Sequence, residues 1–85
     1  MEMKTIENKE DIPALADTQR FVGGWVEKLE LPNGDVMLFN EEGRMKDLDI
    51  NIEATQLVNS FDTVYPTTIL GNVILLPKAL NQKRW

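Results

Sequence analysis

Cysteine and histidine are both absent from this 85-residue sequence. Without cysteine, neither a disulfide framework nor a thiolate metal site can form, and nothing demands an oxidising compartment. Without histidine as well, zinc ligation by nitrogen or sulfur, Ser-His-Asp and Cys-His nucleophile activation, and imidazole acid–base chemistry near neutral pH are all excluded. Carboxylates, lysine, tyrosine and hydroxyls are the groups left for chemistry, so we expect a non-enzymatic protein with no catalytic residue, no metal site and no cofactor.

Long apolar runs and an excess of positive charge are missing too. No run approaches the ~20 apolar residues that a membrane helix needs, and the segment after Met1 is polar and acidic, so we expect no membrane association and a cytoplasmic protein. The chain has 14 acidic against 9 basic residues and a net charge of −5. Because this charge repels phosphate, we do not expect direct nucleic-acid binding, and a partner with a basic surface is the better electrostatic match.

Length and composition predict one folded domain over residues 1–85. A chain of this size buries roughly 60% of the surface that its unfolded form exposes, which is enough for a single core. Apolar residues make up 42% and charged residues 27%, as in ordinary globular proteins. We expect less ordered ends at residues 1–10 and 78–85. The basic tail Lys83-Arg84-Trp85 is either a frayed or locally docked terminus or, in the alternative, a platform that stacks on a nucleobase.

Capping residues predict a first helix from Ile12 to Val22. Asp11 is its expected N-cap, and Pro13 suits its first turn. Gly23-Gly24 should end this helix with at least one residue at positive φ, since glycine is the usual residue in that conformation. A second, shorter helix is expected after another N-cap, Asn51.

Runs of β-prone residues predict a small sheet. The predicted strands are Met3–Ile6, Trp25–Leu31, Val36–Phe39 and Val73–Leu76. The last of these runs is uninterrupted and apolar, which indicates a buried central strand. The expected fold class is α+β, with a small antiparallel sheet, made of the central hairpin 25–39 and the strand 73–76, and one or two short helices packed on one face. The predicted core contains Leu15, Val22, Leu29, Leu38, Leu57, Val73 and Leu75.

The hairpin has two possible registers. Asn33-Gly34 suits a two-residue type I′ loop, whereas Pro32 followed by a left-handed Gly34 suits a three-residue loop with a G1 bulge. We prefer the bulged loop because Pro32 cannot donate to the strand ladder.

In either register, antiparallel pairing brings the start of the first hairpin strand close to the segment that follows the second strand. The predicted binding residues at this end are Gly24, Trp25, Glu27, Asn40, Glu41, Glu42 and Gly43. An aromatic ring, carboxylates and glycine amides would share one patch, which suits a basic protein surface better than phosphate. In the bland alternative Trp25 is a core residue, Glu27 reaches solvent at the strand end, and residues 40–43 are a solvated turn with an Asx-turn at Asn40 and a positive φ at Gly43.

The order of these motifs resembles a known family. It runs from Val22-Gly23-Gly24-Trp25-Val26-Glu27 through Asn33-Gly34 and Asn40-Glu41-Glu42-Gly43-Arg44-Met45 to Asn51, Ala54-Thr55 and Gly71-Asn72-Val73. This pattern is similar to the small phage and mobile-element proteins grouped as domain of unknown function 3846. The resemblance covers roughly residues 15–77, with Arg44 and Met45 standing where lysine and leucine are usual.

The resemblance implies a phage, prophage or plasmid origin more than a mechanism. Small acidic proteins from such elements often bind and block host proteins, including restriction and CRISPR effectors, so a host protein in the bacterial cytoplasm is the expected partner. One alternative is a protein, perhaps oligomeric, that sequesters a nucleotide-like signal, using Trp25 and Tyr65 for stacking and the amides of Gly23-Gly24 and Gly71-Asn72. A second alternative is a hydrolase that uses the carboxylates of Glu27, Glu41 and Glu42, alone or around a divalent cation.

Overall fold

The computed structural model describes residues 1–61 and 66–80. The described residues form four strands and two α-helices, joined by loops and two short 3-10 helices. These elements are β1 (Met3–Thr5), α1 (Leu15–Val22), β2 (Val26–Glu30), β3 (Val36–Asn40), α2 (Ile52–Asn59) and β4 (Val73–Leu76), with the 3-10 turns at Lys9–Asp11 and Lys78–Leu80. The predicted role of the tail Lys83-Arg84-Trp85 falls outside the described residues, and the prediction of less ordered ends stays a prediction.

The four strands form one mixed sheet in the order β1-β4-β3-β2. The pairs β2–β3 and β3–β4 are antiparallel, whereas β1 runs parallel to β4 with Met3 opposite Val73. The α+β class, the central hairpin, the weak N-terminal strand and the interior position of β4 are confirmed. The expectation of a purely antiparallel sheet is wrong, because β4, the last strand, pairs with β1, the first, and runs in the same direction as β1.

The hairpin takes the bulged loop. The Gly34 amide donates to the Leu31 carbonyl at 2.9 Å, and the Leu31 amide donates to the Asp35 carbonyl at 2.7 Å. Gly34 has φ +94°, which is the left-handed conformation that the bulge requires. This loop fixes the register so that Glu30 lies opposite Val36 and Val26 lies opposite Asn40.

Alternating side chains give the sheet an apolar cluster on each face. One cluster combines Met37, Val73 and Leu75 with α2, and the other combines Leu38 and Ile74 with part of α1. Because neighbouring residues of a strand point to opposite faces, the two helices cover opposite sides of the sheet. The expectation that the helices share one face therefore needs correction: β3 and β4 are apolar on both faces, and each face needs its own cover.

Helix α1 begins later than the sequence predicts. Ile12 is extended, as is usual before a proline, so Asp11 ends a 3-10 turn and does not cap the helix; Ala14 is at the N-cap position. Leu15 is 54% exposed and was wrongly predicted as core. Side chains of a helix lean toward its N-terminus, so the side chain of this first helical residue projects beyond the buried face.

The remaining predicted core residues are at least partly buried. Val22, Leu38, Val73 and Leu75 are buried, and Leu29 and Leu57 pack against the core from its margin. The predicted end of α1 is also confirmed, because Gly23 has φ +88° and its amide donates to the Gln19 carbonyl at 2.9 Å.

The buried side chain of Asn51 joins α2 to the sheet. Its Oδ1 accepts from the Ala54 amide at 3.0 Å, which confirms the predicted N-cap. Its Nδ2 donates to the carbonyls of Gly71 at 2.8 Å and Glu2 at 3.1 Å. One amide group thus holds the start of α2 against the residues that lead into β1 and β4.

Candidate functional site

The predicted binding residues all lie at the open end of the hairpin. Beyond the last paired residues of β2 and β3, the Glu41 amide donates to the Trp25 carbonyl at 2.8 Å. This bond extends the ladder and places Trp25 opposite Glu41. The reason is local, since a three-residue loop fixes which residues of the two strands face each other.

Trp25 is an exposed residue. Its relative exposure is 66%, so the alternative in which it belongs to the core is wrong. It borders a shallow cleft of about 310 Å³ whose other walls come from α1 and from the loop after β3. This cleft is lined by Gln19, Gly24, Trp25, Glu42 and Lys46.

A second cleft of about 280 Å³ lies on the α2 side of the hairpin end. It is lined by Glu27, Phe39, Asn40, Glu41, Glu42, Gly43, Arg44, Met45, Thr68 and Leu70. Glu27 is exposed, as the bland alternative expected, and shares its face of the sheet with Phe39. Glu42 borders both clefts, so the two form adjoining parts of one surface. We call Trp25, Glu27, Glu41 and Glu42 the hairpin-end surface.

Asn40 is a buried residue that holds the hairpin-end surface in place. It is 3% exposed, and its Nδ2 donates to the Val22 carbonyl at 3.1 Å. Its Oδ1 accepts from the Glu42 amide at 2.7 Å, which is the predicted Asx-turn. Asn40 therefore ties the end of α1 to the loop that carries the glutamates.

Gly43 is needed for close packing, whereas a side chain at Gly24 would first meet the end of the flexible Lys46 side chain. Gly43 does not have the predicted positive φ; the left-handed residue of this loop is Asp47, at φ 53°. A Cβ at Gly43 would lie 3.1 Å from Leu70 Cβ, so the loop is pressed against the segment before β4. A Cβ at Gly24 would lie 2.6 Å from Lys46 Nζ.

The glutamates of the hairpin-end surface form no ion pair with another described residue, although Arg44 and Lys46 line the same clefts. Between residues of the described ranges 1–61 and 66–80, the single ion pair joins Arg20 to Asp17 on the exposed side of α1. The nearby Lys46 ammonium instead donates to the Gly23 carbonyl at 3.0 Å, where a cation suits the end of a helix. The surface thus combines an exposed indole with the exposed glutamates Glu27 and Glu41 and the partly buried Glu42.

Sequence reasoning missed Lys46 and Gln19, which complete the cleft beside Trp25. The contact of Lys46 with Gly23 spans 23 residues, and no spacing rule joins the two positions. A basic residue shortly after a tight loop is too common to be a signal by itself.

Two observations bear on the alternative chemistries. In the part of the chain that is described, no three acidic side chains come together where they could hold a metal ion. The amides of Gly23 and Gly24 both donate to the Gln19 carbonyl, and the Gly71 amide donates to the Asp49 carbonyl. These amides are already used within the fold. Tyr65 lies outside the described residues.

Fold and site together define a small mixed-sheet α+β protein with an exposed aromatic and acidic surface at one end of its hairpin. The chain belongs to the family Domain of unknown function (DUF3846), whose sequence profile matches residues 1–83. The match extends at both ends beyond the motifs from which the resemblance was inferred. No curated protein and no solved structure matches the chain. No helix among the described residues is long and apolar enough to cross a membrane.

Proposed function

We propose that this chain is a non-enzymatic protein, made by a phage or mobile element, that binds and blocks a host protein in the bacterial cytoplasm through its hairpin-end surface. The observation that carries the proposal is the indole of Trp25, 66% exposed beside glutamates with no cationic partner among the described residues. Burying the aromatic ring of a tryptophan, which has only two side-chain torsions to fix, gives a large binding contribution at low entropic cost. Tryptophan is accordingly enriched among the residues that dominate protein interfaces.

The surface favours a basic partner. An arginine side chain can stack on the indole while its guanidinium pairs with Glu41 or Glu42, and both interactions strengthen as the partner excludes water. The net charge of −5 steers such a partner toward the chain and repels nucleic acid.

Defence factors of the restriction or CRISPR type fit this description as a class. They read negatively charged nucleic acid and therefore present basic grooves. An acidic protein that occupies such a groove competes directly with the nucleic acid. The indole and the glutamates support the basic character of the partner, and the phage or mobile-element origin that the resemblance implies supports the choice of this class.

The binding surface can be tested with a simple probe. The chain has two tryptophans, so replacing Trp85 by Phe leaves Trp25 as the single tryptophan, whose emission is excited selectively over that of Tyr65. We expect an arginine-rich peptide to change the emission of Trp25 with a saturable dependence that weakens as salt increases. A glutamate-rich peptide of equal length should leave the emission unchanged.

Matched variants separate this surface from general acidity. Replacing Glu27, Glu41 and Glu42 by Gln should weaken binding of the arginine-rich peptide at least tenfold. The control replaces three exposed glutamates elsewhere, at positions 7, 10 and 53, with the same change in net charge. Equal loss in both triple variants would mean that only net charge matters and would overturn the assignment of the surface. The host partner is then identified by comparing which proteins are captured from lysate by the parent chain and by the folded triple variants.

A further inference from the structure

The outer edge of β1 is an unpaired edge of the sheet. The Val73 amide donates to the Glu2 carbonyl at 2.9 Å, and the Ile6 amide donates to the Leu75 carbonyl at 3.0 Å. Because backbone groups alternate along a strand, Lys4 also faces β4, whereas the amides and carbonyls of Met3 and Thr5 point away from the sheet. Since β1 is the terminal strand in the sheet order, no strand of the described chain pairs with these groups.

Exposed apolar residues gather around the beginning of this edge. Asn51 Nδ2 lies 3.1 Å from the Glu2 carbonyl, so the residues next to Asn51 and Glu2 in sequence are close in space. Three of these neighbours are large, apolar and more than half exposed: Met1 at 56%, Ile50 at 55% and Ile52 at 67%. An open strand edge bordered by exposed apolar side chains is a typical site of protein association.

We propose that a second copy of this chain binds at this edge, with β1 paired antiparallel to β1 across a two-fold axis. The register is the one that places Met3 opposite Met3 and joins the two sheets into one of eight strands. In this register Glu2 of each copy lies opposite Lys4 of the other, so the axis creates two complementary charge pairs. Shifting the axis by one residue, to Lys4, would place two lysines opposite each other, which is unfavourable.

The charges of Glu2 and Lys4 favour a second copy of this chain over a strand of an unrelated protein as the binding partner at this edge. Glu2 and Lys4 are both exposed, and neither forms an ion pair within the described part of the chain. They also share one face of β1, so each can reach its counterpart. A two-fold pairing satisfies both residues with the same sequence and closes the β1 edge, so that no further strand can add there.

The proposed dimer is independent of the proposed function. The sheet order β1-β4-β3-β2 puts β1 at one edge and β2, which begins beside Trp25, at the other. Pairing through β1 therefore leaves the hairpin-end surface of each copy free. The strand is only three residues long, so the dimer should be of moderate affinity and depend on protein concentration.

Charge reversal tests both the dimer and its register. Sedimentation equilibrium of the full chain should show a monomer–dimer equilibrium, and E2K or K4E alone should each raise the dimer dissociation constant about tenfold, because two attractive pairs become repulsive. Mixing E2K with K4E should restore dimerisation, as should the double variant E2K/K4E. Thermal unfolding followed by circular dichroism confirms that each variant is folded.

Two results would overturn the proposal. One is a parent chain that stays monomeric at millimolar concentration. The other is a dimer that E2K and K4E leave unchanged, since that dimer would use a different surface or register. In either case the titration of the Trp25 fluorophore with arginine-rich peptide is unaffected, so the proposed function is judged separately.

Discussion

Two buried asparagines, Asn51 and Asn40, hold the two ends of the molecule in different ways. Asn51 uses both ends of its amide in three bonds to backbone groups, from the start of α2 to the residues beside β1 and β4. Asn40 makes two bonds with its side chain, one to the end of α1 and one to the loop after β3. The first asparagine fixes a part of the core, whereas the second positions a loop that faces solvent.

This difference indicates where the chain can tolerate change. Removing Asn51 would take the buried donor from the Gly71 carbonyl and the cap from α2, whereas the Glu2 carbonyl would keep the Val73 amide. Removing Asn40 would free a loop whose other side is already exposed. We therefore expect stability to depend mainly on Asn51 and binding to depend mainly on the loop that Asn40 holds.

The largest effect should come from Asn51→Ala, which we expect to lower the free energy of unfolding by about 3 kcal/mol, as a lost cap and an unsatisfied buried carbonyl together predict. Urea unfolding followed by circular dichroism measures it. The matched control is Asn59→Ala at the exposed end of the same helix. Asn59 also bonds twice, to the backbone of Thr67, but in contact with water, and its loss should amount to less than about 1 kcal/mol. Equal losses would contradict the assigned importance of burial.

Asn40→Ala should lower the free energy of unfolding by about 2 kcal/mol because it removes two bonds, of which the one to the Glu42 amide is only partly buried. It should also weaken binding of the arginine-rich peptide, since the Glu42 amide loses its Asx-turn acceptor and the loop loosens. Asn51→Ser provides the comparison: it keeps the cap, and at temperatures where it is folded it should bind the peptide like the parent chain. A folded Asn40→Ala variant that binds the peptide like the parent chain would show that binding does not depend on the bond between Asn40 and the loop.

A smaller effect is expected at the end of α1, where Gly23→Ala should destabilise by about 1 kcal/mol through left-handed strain. A Cβ there meets its nearest neighbour, Asn40 Nδ2, at an ordinary 3.7 Å, so crowding adds little. Gly23→Asn is the control, because asparagine adopts this conformation more readily and should lose clearly less. Alanine and asparagine variants of identical stability would rule out backbone strain as the cause.

The smallest effect on stability should come from Trp25→Ala. Because the side chain is mostly exposed, the free energy of unfolding should change by no more than about 0.5 kcal/mol. Leu15→Ala, another exposed apolar position, should behave the same way in thermal melts. Only the Trp25 variant should lose binding of the arginine-rich peptide, measured by calorimetry since the fluorophore is removed. A large loss of stability would mean that the indole packs against the protein.

The features that the sequence predicted correctly are those determined by local geometry. The bulged hairpin, the cap at Asn51 and the left-handed end of α1 each depend on residues within a few positions of one another. For the same reason the hairpin brought Trp25 and Glu41 together as expected. The start of α1 was misplaced because periodicity continues past the point at which Pro13 forces the preceding residue to be extended.

Contacts between distant segments could not be predicted in this way. The side chain of Asn51 reaches a residue 49 positions away, and that of Asn40 reaches one 18 positions away. The packing of the two helices on opposite faces of the sheet was not predicted, because a wholly apolar strand has no alternation to show which face a helix covers. Likewise, Leu70 and Lys46 become walls of the two clefts only once the whole sheet has formed.

The parallel pairing of β1 with β4 sets an order of folding. The hairpin closes a loop of three residues, whereas β1 joins the sheet across a separation of 70 residues, as between Glu2 and Asn72. Closing the longer loop loses more chain entropy, so β1 should dock last and detach first. In amide hydrogen exchange, we expect the Lys4 amide to exchange through local opening of β1 and the Leu38 amide only through global unfolding.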